Sequence, residues 1–281
     1  MLTLSGLIAL MTWWQALLLA LIQGLTEFLP VSSSAHLILP EAVFGWTEQG
    51  VLIDVMAHFG TLFSVLLYFR KDVAEMILGL RDLVQRKLTR GSVLALNLIV
   101  ATPPALIVGV LLASGGWDEA LRNPAIIAAA TIIFGVVLWL SDIWAKDARD
   151  MDTLRWSGAF GMGLAQVIAF IPGTSRSGIT MSAGRVIGLS REAAARFSML
   201  MSLPVIGAGG AYALLKLASG ENIGNATLGQ GLIVAALSFV VAYAAIALFL
   251  RFVTRIGFLP FMLYRLGLGL ALIGWIVLAS G

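Results

Sequence analysis

The sequence predicts an all-α polytopic membrane protein: one membrane domain over residues 1–281, with an inverted-topology repeat of six transmembrane helices plus two re-entrant helical hairpins. Three observations carry that expectation. The first is composition, since 59% of the 281 residues are hydrophobic and only 12% are charged, about half the charged share of a soluble domain. The second is the spacing of the apolar runs, and the third is where Lys and Arg fall between them. The chain has no cysteine, which excludes disulfides and thiolate metal sites. Its net charge of +3 is spread over short connections and forms no single patch, so a nucleic-acid partner is excluded as well. The apolar N-terminus lacks the basic start and small-residue cleavage site of a signal peptide and is expected to be mature protein.

Apolar runs near the ~20 residues that a helix needs to cross a bilayer fall at 51–69, 93–113, 125–143, 197–217, 228–250 and 258–279. Two further apolar regions, 13–45 and 157–189, are broken in the middle by Pro30-Val31-Ser32-Ser33-Ser34 and by Pro172-Gly173-Thr174-Ser175-Arg176-Ser177. Each reads as a re-entrant hairpin, because irregular backbone inside a membrane survives only where protein or a water-filled cavity receives it. Six basic residues lie between Arg70 and Arg90, three between Lys146 and Arg155, then Arg191 with Arg196 and Arg251 with Arg255. These connections are expected to be cytoplasmic. The intervening ones, with Glu41, Glu48, Asp118, Glu119 and Glu221, are expected to face outward.

An internal repeat emerges from the same survey. Phe28-Leu29-Pro30-Val31-Ser32-Ser33 matches Phe170-Ile171-Pro172-Gly173-Thr174-Ser175, with Gln23 and Gln166 preceding the two copies. Three spans follow each copy, so repeat 1 (about 13–143) and repeat 2 (about 157–279) must insert with opposite polarity. The first hairpin then enters from the outer face and the second from the cytoplasm, and their polar tips meet within the membrane.

The polar residues of those tips are the candidates for chemistry. Arg176 is a fixed charge at membrane depth, where such a residue is a functional-site hypothesis with a partner to be found. Around it Gly173, Thr174, Ser175, Ser177 and Thr180 supply hydroxyls and freed amides just before a new helix, a receptor for an anion and most naturally for phosphate. In the first hairpin the polar residues are Gln23, Glu27, Ser32, Ser33, Ser34 and His36. Gln23 and Glu27 share a helix face, and a buried carboxylate stays ionised beside a guanidinium, so Arg176 is the expected partner of Glu27. A serine with a histidine in reach, the histidine oriented by a carboxylate, is the usual way to activate a weak nucleophile. Each residue also has a structural reading, since membrane serines bond back to their own helix and Glu27 could be a counter-ion alone. Their joint occurrence is what points to a site.

Other charged residues are read more modestly. Asp54 and His58 share a face of the first span and either contact the site or, the reading preferred here, meet solvated headgroups. Arg265, beside Tyr264, either anchors a second phosphate or snorkels to the interface. Arg185, Arg191 and Arg196 read as cytoplasmic headgroup contacts. No metal is assigned and no cofactor is certain, although Mg²⁺ or Ca²⁺ can be held by one carboxylate, here Glu27, together with phosphates of a ligand.

The stretches Gln23-Gly24-Leu25-Thr26-Glu27-Phe28-Leu29-Pro30-Val31-Ser32-Ser33-Ser34-Ala35-His36 and Pro172-Gly173-Thr174-Ser175-Arg176-Ser177-Gly178-Ile179-Thr180 resemble the two signatures of the bacterial undecaprenyl-pyrophosphate phosphatases of the bacitracin-resistance type. Phe258-Leu259-Pro260-Phe261 and Tyr264-Arg265 fit the same family. The resemblance implies an inner-membrane hydrolase that removes the terminal phosphate of the C55 isoprenyl pyrophosphate and returns the lipid carrier to cell-wall synthesis. It implies the acidic signature at Gln23 and Glu27, the serine and histidine at Ser33 and His36, and the phosphate-binding arginine at Arg176. The implied partners are the isoprenyl pyrophosphate lipid and the surrounding membrane lipid, with a homodimer compatible. Gln23 stands where many relatives carry a second glutamate, and Ser34-Ala35 replaces the more familiar Thr-Gly. From another class, an inverted-repeat secondary transporter or lipid flippase fits the same fold.

Overall fold

The computed structural model describes residues 12–37, 45–46, 51–115, 123–145, 148–219 and 226–280. The acidic connections expected to face outward (Glu41, Glu48, Asp118, Glu119 and Glu221) lie outside the described residues, as does the end of the first hairpin beyond residue 37.

The described chain is helical throughout. Helix α1 (Trp13–Thr26) leads into the first tip, after which residues 33–37 form a short helical return. There follow α2 (Val51–Tyr68), α3 (Arg70–Val84), α4 (Arg90–Ala101), α5 (Pro103–Gly115) and α6 (Pro124–Trp144). The second half contains α7 (Trp156–Val167), a 3₁₀ turn (Ile168–Phe170), α8 (Arg176–Val186), α9 (Arg191–Ala218), α10 (Leu228–Ile256) and α11 (Leu259–Ser280). Six of the stretches are long and apolar enough to cross a membrane: Val51–Tyr68, Arg90–Gly115, Pro124–Trp144, Arg191–Leu215, Leu228–Ile256 and Leu259–Leu278. They coincide with the six expected spans, and the protein is a multi-pass membrane protein.

Local chemistry explains where these helices start and break. Thr89 opens α4, its hydroxyl accepting from the Ser92 amide at 3.2 Å while its own amide donates to Ser92 Oγ at 2.8 Å. Thr227 and Gln230 do the same at α10, with 3.2 and 2.8 Å bonds, so two orphan donors are satisfied reciprocally at each start. The second span is split into α4 and α5 at Pro103-Pro104, where missing amides interrupt the ladder.

Packing crosses between the two halves. Helix α1 lies on α10, the middle span of the other half, and α7 lies on α4 and α5, the middle span of its own opposite half. The last spans α6 and α11 pack together, as do the first spans α2 and α9. The α1–α10 and α7–α4 contacts are both closed by glycine. A Cβ on Gly24 would stand 2.7 Å from Val241 Cβ, and one on Gly163 would stand 2.3 Å from the Ala101 carbonyl oxygen. Small residues let membrane helices approach this closely. The largest buried apolar cluster includes Phe28 of the first tip and Met181 of α8, together with Phe197, Leu200, Phe249 and Phe258.

The expected headgroup arginines are placed differently. Asp142, buried at the end of α6, receives Arg185 Nε at 3.0 Å and Arg191 Nε at 2.8 Å, and Arg196 bonds the buried Asp72 at 2.9 Å. A buried carboxylate needs such partners, and the arginines that supply them are paired with protein, Arg191 and Arg196 keeping part of their side chains exposed.

Candidate functional site

Two interrupted helices meet tip to tip. In each tip a serine takes a positive φ just before a helix begins, +71° at Ser32 and +70° at Ser175. Such a backbone costs a β-carbon-bearing residue about 1–3 kcal/mol and persists only where its surroundings enforce it. Each serine then caps the helix that follows, Ser32 Oγ accepting from Ala35 N at 3.4 Å and Ser175 Oγ from Gly178 N at 3.1 Å. Each also shares a proton with the serine two residues on, Ser34 and Ser177, at 3.1 Å in both cases. The tips are joined by three bonds. Gly173 N donates to Ser34 Oγ at 3.0 Å, Ser177 Oγ donates to the Leu29 carbonyl at 3.0 Å, and Arg176 donates to Glu27 at 3.3 Å.

Glu27 is the centre of charge. One carboxylate oxygen accepts from Arg176 Nη2 and the other from Gln23 Nε2 at 2.9 Å, which is the helix-face pairing that the four-residue spacing predicts. Arg176 is fixed further by the Ser198 carbonyl at 3.2 Å. A third neighbour is His58 on α2, whose Nε2 lies 3.9 Å from Glu27 Oε2, in line with the site contact that the sequence offered as an alternative to headgroups. Its Nδ1 is held by the Asp54 carbonyl at 2.7 Å. The signal for that contact is an ionisable residue within a span.

His36 is not oriented by Glu27, contrary to expectation, and no hydrogen bond joins them. Its Nδ1 bonds the Ser32 carbonyl at 2.7 Å and its Nε2 bonds the Tyr264 hydroxyl at 2.6 Å. Ser33, in the first turn after the first tip, is half-buried.

Several hydroxyls and amides expected to face an anion are committed to building the tips. Besides the caps just described, Thr180 Oγ1 bonds the Arg176 carbonyl at 2.8 Å and Ser198 Oγ at 2.6 Å. The Thr174 amide donates to Ile171 at 3.1 Å. The amides of Arg176 and Ser177, in the first turn of α8, are the ones that a helix leaves without an internal acceptor. Arg265 is likewise reassigned. It is fully buried and donates to the Thr131, Gly173 and Thr174 carbonyls at 3.0, 2.8 and 2.9 Å. It does not snorkel, and its Nη1 is buried without a hydrogen-bond partner among the described residues. Its planar fork satisfies carbonyls that the irregular tip cannot pair internally.

Among the described residues no group of three or more His, Asp or Glu could hold a metal ion. The oxygens that a hard cation would find are Glu27 and the Gln23 carboxamide oxygen, which is buried without a hydrogen-bond partner among the described residues. That set suits Mg²⁺ or Ca²⁺ only when phosphate oxygens complete it.

A profile of the bacitracin resistance protein BacA family matches residues 16–271. Among curated relatives, the undecaprenyl-diphosphatase of Maricaulis maris (strain MCS10) is 51% identical over 260 residues, covering 92% of this chain and 97% of the relative. The undecaprenyl-diphosphatase of Alteromonas mediterranea is 47% identical over 272 residues, covering 96% of this chain and 100% of the relative. That of Saccharophagus degradans is 47% identical over 258 residues, covering 92% and 96%. With two signature tips joined through Arg176 and Glu27, and a match over nearly its whole length, the chain belongs to the bacitracin resistance protein BacA family.

Proposed function

We propose that the protein hydrolyses undecaprenyl pyrophosphate to undecaprenyl phosphate and inorganic phosphate at the junction of its two tips, recycling the lipid carrier for cell-wall synthesis. The observation that carries this reading is the contact of the Arg176 guanidinium with Glu27, which puts a cation, an acid and the serine-rich turn in one buried place. Hydrolysis breaks the P–O bond between the bridging oxygen and the terminal phosphorus. The terminal phosphoryl group takes an oxygen from water, and the bridging oxygen leaves with the lipid phosphate. Arg176 and the first-turn amides of α8 stabilise the equatorial oxygens as charge spreads over them. Ser33 or His36 supplies the nucleophile or positions water, and Glu27 holds Arg176 in place until phosphate competes for it. A divalent cation, when bound, would neutralise phosphate charge, held by Glu27 and the Gln23 carboxamide oxygen.

The tips belong to two re-entrant hairpins of an inverted repeat, the first inserted from the outer face of the bacterial inner membrane. The crossed packing of the halves and the matching serine geometry at Ser32 and Ser175 support that arrangement. Basic connections after α2, α6 and α10 support a cytoplasmic position for those ends. Transporters share such architecture, so the test is made where there are no two sides. Purified protein in detergent is expected to release inorganic phosphate from undecaprenyl pyrophosphate; no release would overturn the phosphatase reading in favour of transport.

A further inference from the structure

Nothing in the sequence motifs connects Tyr264 to the first tip, yet its hydroxyl lies 2.6 Å from His36 Nε2, 228 residues away. The two rings are parallel within 2°, with centroids 5.6 Å apart. The other imidazole nitrogen fixes the chemistry of this bond. Nδ1 faces the Ser32 carbonyl at 2.7 Å, and a carbonyl only accepts, so Nδ1 carries the hydrogen. In the neutral ring Nε2 is then the acceptor, and the Tyr264 O–H donates to it. The lone pair with which His36 would attack phosphorus or take a proton is therefore covered by a hydroxyl from the last span.

The surroundings indicate from which side that cover lifts. Tyr264 is half exposed on α11, beside the exposed Leu263 and one turn from the exposed Leu259. The adjoining Arg265 is fully buried and anchored to the second tip. One side chain of the pair holds α11 against the tip while the other stands between the surface and His36. Resting on the phosphatase reading above, we propose that Tyr264 is a positioning residue and a displaceable cap: it holds the His36 ring, whose tautomer the Ser32 carbonyl sets, and gives up Nε2 when the pyrophosphate enters past α11. Tyr264 itself contributes no covalent step.

The test uses the full chain in detergent, where His36 and His58 are the two histidines present and each reports separately. Carbethoxylation by diethyl pyrocarbonate consumes an uncapped imidazole lone pair, and peptide mapping by mass spectrometry gives its rate at each ring. In Tyr264→Phe, which keeps the ring and removes the hydroxyl, the His36 rate is expected to rise at least fivefold while the His58 rate stays within twofold. Phosphate release by the same variant is expected to show both KM and kcat lowered severalfold, because the substrate no longer displaces a hydroxyl and the imidazole is less well aimed. A His36 rate unchanged by Tyr264→Phe overturns the cap, as does a variant whose KM and kcat both stay within twofold of the parent. A second variant, Tyr264→Leu, should uncap His36 equally; failure to do so in a folded protein also overturns it. Normal turnover by His36→Ala would instead remove His36 from the reaction, and the carbethoxylation result would still decide the contact.

Discussion

Arg176 Nη2 lies 3.3 Å from Glu27 Oε1, a contact between residues 149 positions apart in the chain. An isolated charge at membrane depth is costly. Each supplies the other's counter-charge in the resting protein. On the proposed function, an incoming pyrophosphate would offer the guanidinium a second anion in exchange for the carboxylate.

Gln23 donates to Glu27 across 2.9 Å, and replacing that donor by a carboxylate changes the electrostatics of the site. Gln23→Glu would set two like charges side by side, which disfavours ionisation of both and which a divalent cation relieves. We expect the variant's phosphate release to be stimulated by Mg²⁺ at least threefold more strongly than that of the parent, measured in matched titrations.

Gly173 has φ +94°, and a Cβ there would stand 2.4 Å from the Ile127 carbonyl oxygen. The left-handed backbone alone costs a β-carbon about 1–2 kcal/mol, and the collision adds to it. Gly173→Ala should lower the thermal unfolding temperature and reduce phosphate release more than tenfold, because the displaced loop carries the start of α8.

Arg265 illustrates why the kind of cation matters. A buried carbonyl left without a donor costs about 1–3 kcal/mol, and Arg265 serves four, on Ala130, Thr131, Gly173 and Thr174. Arg265→Lys keeps the charge but not the fork, so it should unfold at a clearly lower temperature than the parent. Arg265→Ala should be no more stable than that lysine variant.

Asp142 is far in sequence from the tips but ties their supports together, accepting from Arg185, Arg191 and the Phe258 amide at 3.0, 2.8 and 3.3 Å. Breaking a buried ion pair by removing one partner costs about 3–5 kcal/mol. Asp142→Asn should therefore lose thermal stability of that order, and its surviving folded fraction should retain the parent's KM.

Much of this was legible in the chain because it depends on local pattern. Six apolar runs gave six spanning helices, the prolines at 30 and 172 marked the two interruptions, and an arginine after the second predicted a carboxylate partner. What stayed hidden depends on tertiary proximity. No spacing rule links His36 to Tyr264 or Glu27 to His58. Nor does a serine-rich turn reveal which hydroxyls face a ligand and which, like those of Ser175, Ser177 and Thr180, are needed to close the turn itself. Arg185 and Arg191 looked like headgroup contacts because Asp142 sits at the end of an apolar run, where its depth cannot be judged from sequence.

The most direct measurement is a double-mutant cycle on phosphate release with Glu27→Gln, Arg176→Ala and the two combined. Residues that act as a unit are strongly non-additive, so each single variant should lose at least a hundredfold in kcat/KM and the double should lose little more than the worse of the two. Losses that multiply, or near-normal turnover by either single variant, would show that the two tips do not form one site.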